Sequence, residues 1–232
     1  MGSFSKGTQV AKDFHDPKVV AGYDAHIRKL IPAYALMHAQ VRAALTLHLP
    51  ASRHLLIVGC GTGYEVQCLL ESFPNLAITA VDPSQNMLQQ AQQNIQALAG
   101  ANRVRFVYGT TADLDPTLQF DAALSLLVAH FIPVSEKLDF FREIYRHLKP
   151  HALLMTYDMF LPNNENELKL LQNLCIEQGL TYRQTEQMLA RLDSDFCLIT
   201  ASSQREILQQ AGFQNIDTYL QVINYFGFLA TK

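Results

Sequence analysis

Short apolar runs alternate with helix-patterned stretches through the middle of the chain, and no other feature restricts the fold as strongly. "LLIV" (55–58), "AITAV" (77–81), "VRFVY" (104–108), "DAALSLL" (121–127) and "ALLMTY" (152–157) have strand length and are β-rich or wholly apolar. Helical stretches separate them, notably 84–98 and 135–148. Strands that are apolar on both faces need helices on both sides, so the pattern predicts a doubly wound α/β sheet. Two helices precede it. One carries Val19, Val20, Tyr23, Ile27 and Leu30 after Asp16-Pro17, and Pro32 opens another with Tyr34, Met37, Val41 and Leu45 on one face. Beyond the alternation, 163–192 reads as two helical segments and 203–211 as a last helix, which the glycine of "AGF" ends. "IDTYLQVI" and "NYFGFLATK" then read as adjacent strands with almost nothing between them. A pair without a crossover must be antiparallel.

With 232 residues, 49% of them hydrophobic, the chain can bury one large core with a small accessory lobe. A net charge of -3 with dispersed Lys and Arg leaves no basic footprint for nucleic acid and no stripe for a membrane surface. The start, "MGSFSKGTQVAKDFHD", lacks the apolar core of a signal peptide, and no apolar run reaches membrane-spanning length. Cys60, Cys68, Cys175 and Cys197 show no paired spacing and read as reduced thiols, with no metal site. These features predict a cytoplasmic protein with a small-molecule substrate and neither a nucleic-acid nor a membrane partner. Monomer and homodimer both stay open.

"HLLIVGCGTGYEV" (54–66) joins a strand to a helix through Gly59, Gly61 and Gly63. Such a turn sets backbone N–H groups and a helix N-terminus beside a ligand at the carboxyl end of the sheet. Asp82 ends the second strand, where a carboxylate can accept both hydroxyls of a ribose, so the expected ligand is a nucleoside derivative. The dinucleotide fingerprint needs glycine at 64, where this chain has Tyr64, and the Gly-Lys-Ser/Thr of a phosphate loop is absent. Glu65 would repel a pyrophosphate and suits an ammonium or sulfonium. A plain strand-to-helix turn, with Ser84 capping the next helix, is the bland alternative.

"VGCGTG" with "AVDPS", then "VYGTTADL", "FDAALSLL" and "IYRHLKPHALLM", resemble the class I S-adenosylmethionine-dependent methyltransferases. The likeness runs from about residue 54 onward and implies an α/β fold, a doubly wound Rossmann-like seven-stranded sheet with an antiparallel last strand, plus a helical lid. It implies S-adenosyl-L-methionine as cofactor. Residues 1–50 would form a helical lid, 51–160 the cofactor-binding core, 161–200 a lid insertion, and 201–232 the last helix and closing strands. "AGYDAHIRKLIPAY" and "AGFQNIDTYLQVINYFGFLATK" are further similar to the carboxy-S-adenosylmethionine synthase branch.

By that likeness Tyr34 would reach the cofactor's amino-acid end, and Gly59, Cys60 and Gly61 would cradle it, with Gly63 in the same loop. Asp82 and Pro83 would hold the ribose, with Met87 nearby. Thr110 and Thr111 would lie by the adenine and Ser125 near the methionine part, while Arg191 would face a substrate carboxylate. The branch usually carries serine where Gly61 stands, and most relatives carry Asp at Thr110. His130 and Tyr23 join Arg191 as catalytic candidates. His130 sits where a strand end meets the pocket, as base, substrate contact or core histidine, and the Tyr23 ring suits a sulfonium. Asp158 ends the fifth strand near the same mouth. The expected activity is methyl transfer to a small, carboxylated molecule. The alternatives are remodelling of S-adenosylmethionine itself, by carboxylation or by displacement within its methionine chain, and a nucleoside-binding protein without catalysis.

Overall fold

The computed structural model describes residues 23–49 and 53–232. The predicted helix start at Asp16-Pro17, with Val19 and Val20, lies outside them. Among the described residues no helix is long and apolar enough to cross a membrane.

Helices α1 (Tyr23–Leu30) and α2 (Tyr34–His48) precede the alternating core. Met37, Val41 and Leu45 are buried along one face of α2, as their spacing predicts. The core runs β1 (His54–Val58), α3 (Tyr64–Ser72), β2 (Ala77–Asp82), α4 (Gln85–Ile95), β3 (Val104–Tyr108), β4 (Phe120–Leu126), α5 (Lys137–Arg146) and β5 (Leu148–Met159). Then come α6 (Glu165–Glu177), α7 (Tyr182–Ala190), α8 (Leu192–Asp195), α9 (Ala201–Ala211), β6 (Gln214–Val222) and β7 (Tyr225–Thr231).

The strands form one seven-stranded sheet in the order β3-β2-β1-β4-β5-β7-β6. Strands β1 to β5 pair in parallel, whereas β7 is antiparallel to both of its neighbours. Both faces are covered. Leu55, Ile57 and Leu124 pack with α2 and α6 on one side, and Leu56, Val58 and Ala123 pack with α5 and α9 on the other. From β1 the sheet grows outward to β2 on one side and to β4 on the other. The loops after these two strands therefore part above the sheet, where open α/β sheets bind ligands.

Local chemistry sets the element ends. Ser84 caps α4 by accepting from the Met87 N–H, and Gly212, at φ 110°, ends α9 in the left-handed region. Three boundaries differ from the sequence reading. The insertion holds three helices, because the chain breaks at Arg191 between α7 and α8. Strand β5 starts inside "LKP", where Leu148 pairs with Phe120 ahead of a register shift. Strand β6 starts at Gln214, directly after the turn that ends α9. Strand β7 fills the gap between β5 and β6, with Tyr225 opposite both Met159 and Val222. The ladder is prolonged beyond it, since His151 donates to the Lys232 carbonyl and the Lys232 N–H donates to Ala152.

Candidate active site

All three loop glycines have positive φ, at 70°, 53° and 83° for Gly59, Gly61 and Gly63. Only Gly61 faces open space: a Cβ built on it meets nothing within 4 Å. One on Gly59 would lie 2.5 Å from a Val128 methyl, and one on Gly63 would lie 2.9 Å from the Ala91 Cβ of α4. Side chains at two of the three would thus collide with the protein's own packing, whereas one at Gly61 would stand in the open cleft. Gly63, placed by the sequence in the cofactor-binding loop, also allows close contact between α3 and α4.

The loop is tied to β2. Gly59 and Cys60 donate to the Val81 carbonyl, and the Gly61 N–H donates to Asp82 Oδ2 at 2.8 Å. Asp82 Oδ1 accepts from the Ser84 N–H, also at 2.8 Å. A carboxylate oxygen has two lone pairs, so the pinned group keeps acceptor sites for hydroxyls. Gly59, Gly61, Asp82, Pro83 and Met87 line one wall of a cleft of about 190 Å³. This open cradle beside a fixed carboxylate fits the nucleoside part of S-adenosylmethionine.

The opposite wall follows β4. Leu127 holds φ 61°, a left-handed conformation that costs a non-glycine residue about 1–3 kcal/mol. Its N–H donates to the Tyr157 carbonyl at 2.6 Å, which fixes the turn. The turn brings Val128 onto Gly59 and carries Phe131 and Ile132 to the cleft. Tyr23, Leu127 and Phe131 also border a second cavity flanked by α1, α6 and α7, a chamber of about 50 Å³ walled further by His130, Met159, Phe196 and Tyr225. His130 is 5% exposed, and its Nδ1 lies 2.9 Å from Asp158 Oδ1, which also accepts from the His130 backbone N–H. An imidazole with Nδ1–H held by a carboxylate presents Nε2 as a base. Burial pushes the Tyr23 and Tyr225 hydroxyls above the ordinary tyrosine range, so both stay neutral.

Helix α1 is latched to the glycine loop, where Thr62 Oγ1 donates to Asp24 at 2.5 Å. Arg28 stacks on Tyr64, with its guanidinium carbon 4.1 Å from the ring centre. Behind it Tyr34, His38 and Tyr64 pack edge to face or tilted, and His38 Nε2 lies 3.6 Å from Glu65. Burial, then the charges of Asp24 and Asp82 around the loop, push the Glu65 carboxyl up to about 7. Burial, with Arg42 and Arg28 nearby, lowers His38 to about 3. The pair is therefore a neutral imidazole beside a carboxyl that readily keeps its proton.

Of the residues singled out from the sequence, Tyr23, Gly59, Gly61, Asp82, Pro83 and Met87 converge on the cleft, and Tyr23 and His130 on the chamber. Others lie elsewhere. Arg191 is the main correction. Its guanidinium bonds Asp195 at 2.7 Å with the side chain 56% exposed, and it lines an outer groove behind Leu30, Met188 and Phe196. The break between α7 and α8 turns it outward. Tyr34 and Cys60 are buried in the core cluster rather than on the cleft wall. Thr110 uses its polar atoms in a capping box with Asp113, and Thr111 is buried at the head of that turn. Ser125 is fully buried, and its Oγ has no partner. The residues missed by sequence reasoning, Leu127, Val128, Phe131 and Ile132, belong to an apolar stretch that carries no signal beyond core packing.

Three comparisons with known proteins agree with this geometry. Residues 55–151 match the family described as a methyltransferase domain. The chain is 23% identical to the carboxy-S-adenosyl-L-methionine synthase of Campylobacter curvus over 228 residues, 96% of each chain. It is 24% identical to the enzyme of the same name from Chromohalobacter salexigens, covering 97% of this chain and 85% of that one. Among solved structures it resembles phosphoethanolamine N-methyltransferase 2 of Haemonchus contortus in complex with S-adenosyl-L-methionine. The TM-score is 0.69 at 16% identity, covering 95% of this chain and 58% of the other.

Proposed function

Because the chain belongs to the class I S-adenosylmethionine-dependent methyltransferase family, with S-adenosylmethionine as its cofactor, we propose that its chemistry is confined to the cofactor's own methionine arm. The observation that carries this reading is the chamber. It opens off the nucleoside cleft between Tyr23, Leu127 and Phe131 and measures about 50 Å³. At about 10–15 Å³ for each water-sized group, such a space suits the end of a side arm better than a separate acceptor. Bound S-adenosylmethionine would supply a sulfonium leaving group: its own deprotonated amine would bond the γ-carbon of the methionine chain as the γ-carbon–sulfur bond breaks, leaving a four-membered cyclic amino acid and methylthioadenosine.

The chain's residues would then do five things. Gly61 leaves room for the ligand beside the loop, and Asp82 accepts from the ribose hydroxyls. The Tyr23, Phe131 and Tyr225 rings face a cation, which attracts their π-faces. His130 Nε2 takes the proton, with Nδ1 held by Asp158. Helices α1, α6 and α7 exclude water from the chamber. The outward position of Arg191 weighs against carboxyl transfer and against a carboxylated acceptor.

Methyl transfer to a separate small molecule is the second reading. The outer groove favours it, since this groove meets the chamber across Leu30, Met188 and Phe196 and offers an acceptor a way in. Purified protein incubated with S-adenosylmethionine alone distinguishes the two by mass spectrometry. Methylthioadenosine above the protein-free rate, and lost in His130→Gln, supports the first. S-adenosylhomocysteine that appears only with an added acceptor replaces it with the second. Cofactor binding without either product overturns both in favour of a non-catalytic binder.

A further inference from the structure

A polar nest lies beneath His130 on the sheet face turned away from the lid. Side chains alternate along a strand, so Ser125, Thr156 and Asp158 share the face of Ala123 and Leu154, opposite that of Leu124 and Met155. Ser125 and Thr156 are cross-strand neighbours, and the hydroxyls of both are buried without a partner. Asp158 commits Oδ1 to His130, whereas its buried Oδ2 has no hydrogen-bond partner. Lys137, the first residue of α5, reaches this nest with only 1% exposure, and its ammonium donates to the carbonyl of Ala129, next to His130. A lysine is almost never buried so completely without a counter-charge, and the carboxylate whose charge acts on Lys137 is Asp158. Burial lowers the Lys137 ammonium below its ordinary value while Asp158 opposes that fall.

We infer that Lys137 is a positioning residue: its buried ammonium balances the Asp158 charge, so that His130 stays neutral at neutral pH with Nδ1–H on Asp158 and Nε2 open as the base. The inference rests on the reading of His130 as the base of the chamber. Without the ammonium, the cation that the described residues leave beside a buried Asp158 is the imidazolium of His130 itself, and a protonated His130 takes up no proton. Among the described residues, the tyrosines around the pair add no competing charge at neutral pH, and Cys197 is the other group whose charge acts on Lys137. Tyr157, Tyr219 and Tyr225, from β5, β6 and β7, are held neutral by burial. Tyr23, from α1, is held neutral in the same way. Cys197 meets His130 through its backbone, where its N–H donates to the His130 carbonyl at 2.7 Å.

The test reads His130 directly and needs no turnover. Protein labelled with 15N-histidine is titrated by NMR, and the His130 signal is assigned by its loss in His130→Gln. The wild type should show the Nδ1–H tautomer at neutral pH. Lys137→Met should raise the midpoint of His130 by about one pH unit or more, a tenfold gain in proton affinity. Lys137→Arg should leave it near the wild-type value. Asp158→Asn should move it downward, which keeps the inference testable if the methionine variant does not fold. An Nε2–H tautomer in the wild type, or an unmoved midpoint in Lys137→Met, overturns it. Failure to form methylthioadenosine, by contrast, would count against the proposed reaction and leave the titration result standing.

Discussion

Alanine at Gly61 and alanine at Gly63 should separate ligand binding from stability, although only Thr62 lies between the two positions. Both are in the left-handed region, at φ 53° and 83°, where an L-residue costs about 1–2 kcal/mol. At Gly61 that is the whole effect on the fold, because the added methyl meets nothing within 4 Å. For a domain of this size about 1 kcal/mol lowers Tm by roughly 2–4 °C, so Gly61→Ala should melt about 2–8 °C early. At Gly63 the methyl would stand 2.9 Å from the Ala91 Cβ and 3.1 Å from its Cα, which cannot rotate away. Forcing α3 from α4 adds about 1–3 kcal/mol, so the loss of Tm should be clearly larger. Binding should run the other way. The Gly61 methyl enters the space left for the ligand and should weaken S-adenosylhomocysteine at least tenfold, about 1.4 kcal/mol. Gly63→Ala, titrated well below its Tm, should bind within about threefold of wild type, under about 0.7 kcal/mol. Calorimetric titration and thermal melts of the two variants decide the matter. Wild-type affinity in Gly61→Ala, or lost affinity with an unchanged Tm in Gly63→Ala, would refute this division of roles.

Other substitutions probe helix α1, Arg191 and the pair behind the loop. Burial holds the Glu65 carboxyl at about 7 against 4.5 in the unfolded chain, so its contribution to stability is present below 4.5 and lost as pH rises to 7. Glu65→Gln should therefore gain about 3 kcal/mol over wild type near pH 8 and almost nothing near pH 4 in urea melts, and equal differences at both would rule this out. His38, lowered from 6.5 to about 3, acts in the opposite direction, losing stability as pH falls through that window. Arg191→Ala should leave turnover and Tm near wild type, because an exposed pair contributes about 0–1 kcal/mol; a turnover loss above about tenfold would return this residue to the site. Thr62→Val removes the bond to Asp24 and should speed hydrogen exchange in α1 while sparing the sheet, and unchanged α1 protection would dismiss the latch.

The parts that were legible in the sequence depend on short-range pattern. Strand β1, the glycine turn and Asp82 form one strand–helix–strand unit, in which period, glycine spacing and the acidic strand end all lie within a few turns of chain. The His130–Asp158 contact was not legible as a pair. It spans 28 residues and exists because Leu126 and Tyr157 are in register, which sets the two strand ends side by side. Ser125 was read as reaching toward the ligand, whereas strand alternation turns it to the opposite face. Arg191 was misplaced by the helix break beside it, and Val128 could not be recognised because its partner is a missing side chain.

The place of β7 has a consequence for how the molecule is made. A ribosome delivers β5 and β6 before the strand that must lie between them, so until residues 225–231 emerge β6 has no partner and β5 pairs only with β4. Until then β5 presents an unsatisfied, largely apolar edge, open to pairing with another nascent chain. Domains generally fold as units during synthesis at about 5–20 residues per second, so this exposure lasts at least as long as the translation of β6, α9 and the segments before them. Chains stalled before Tyr225 should therefore aggregate more readily than chains that extend past Thr231.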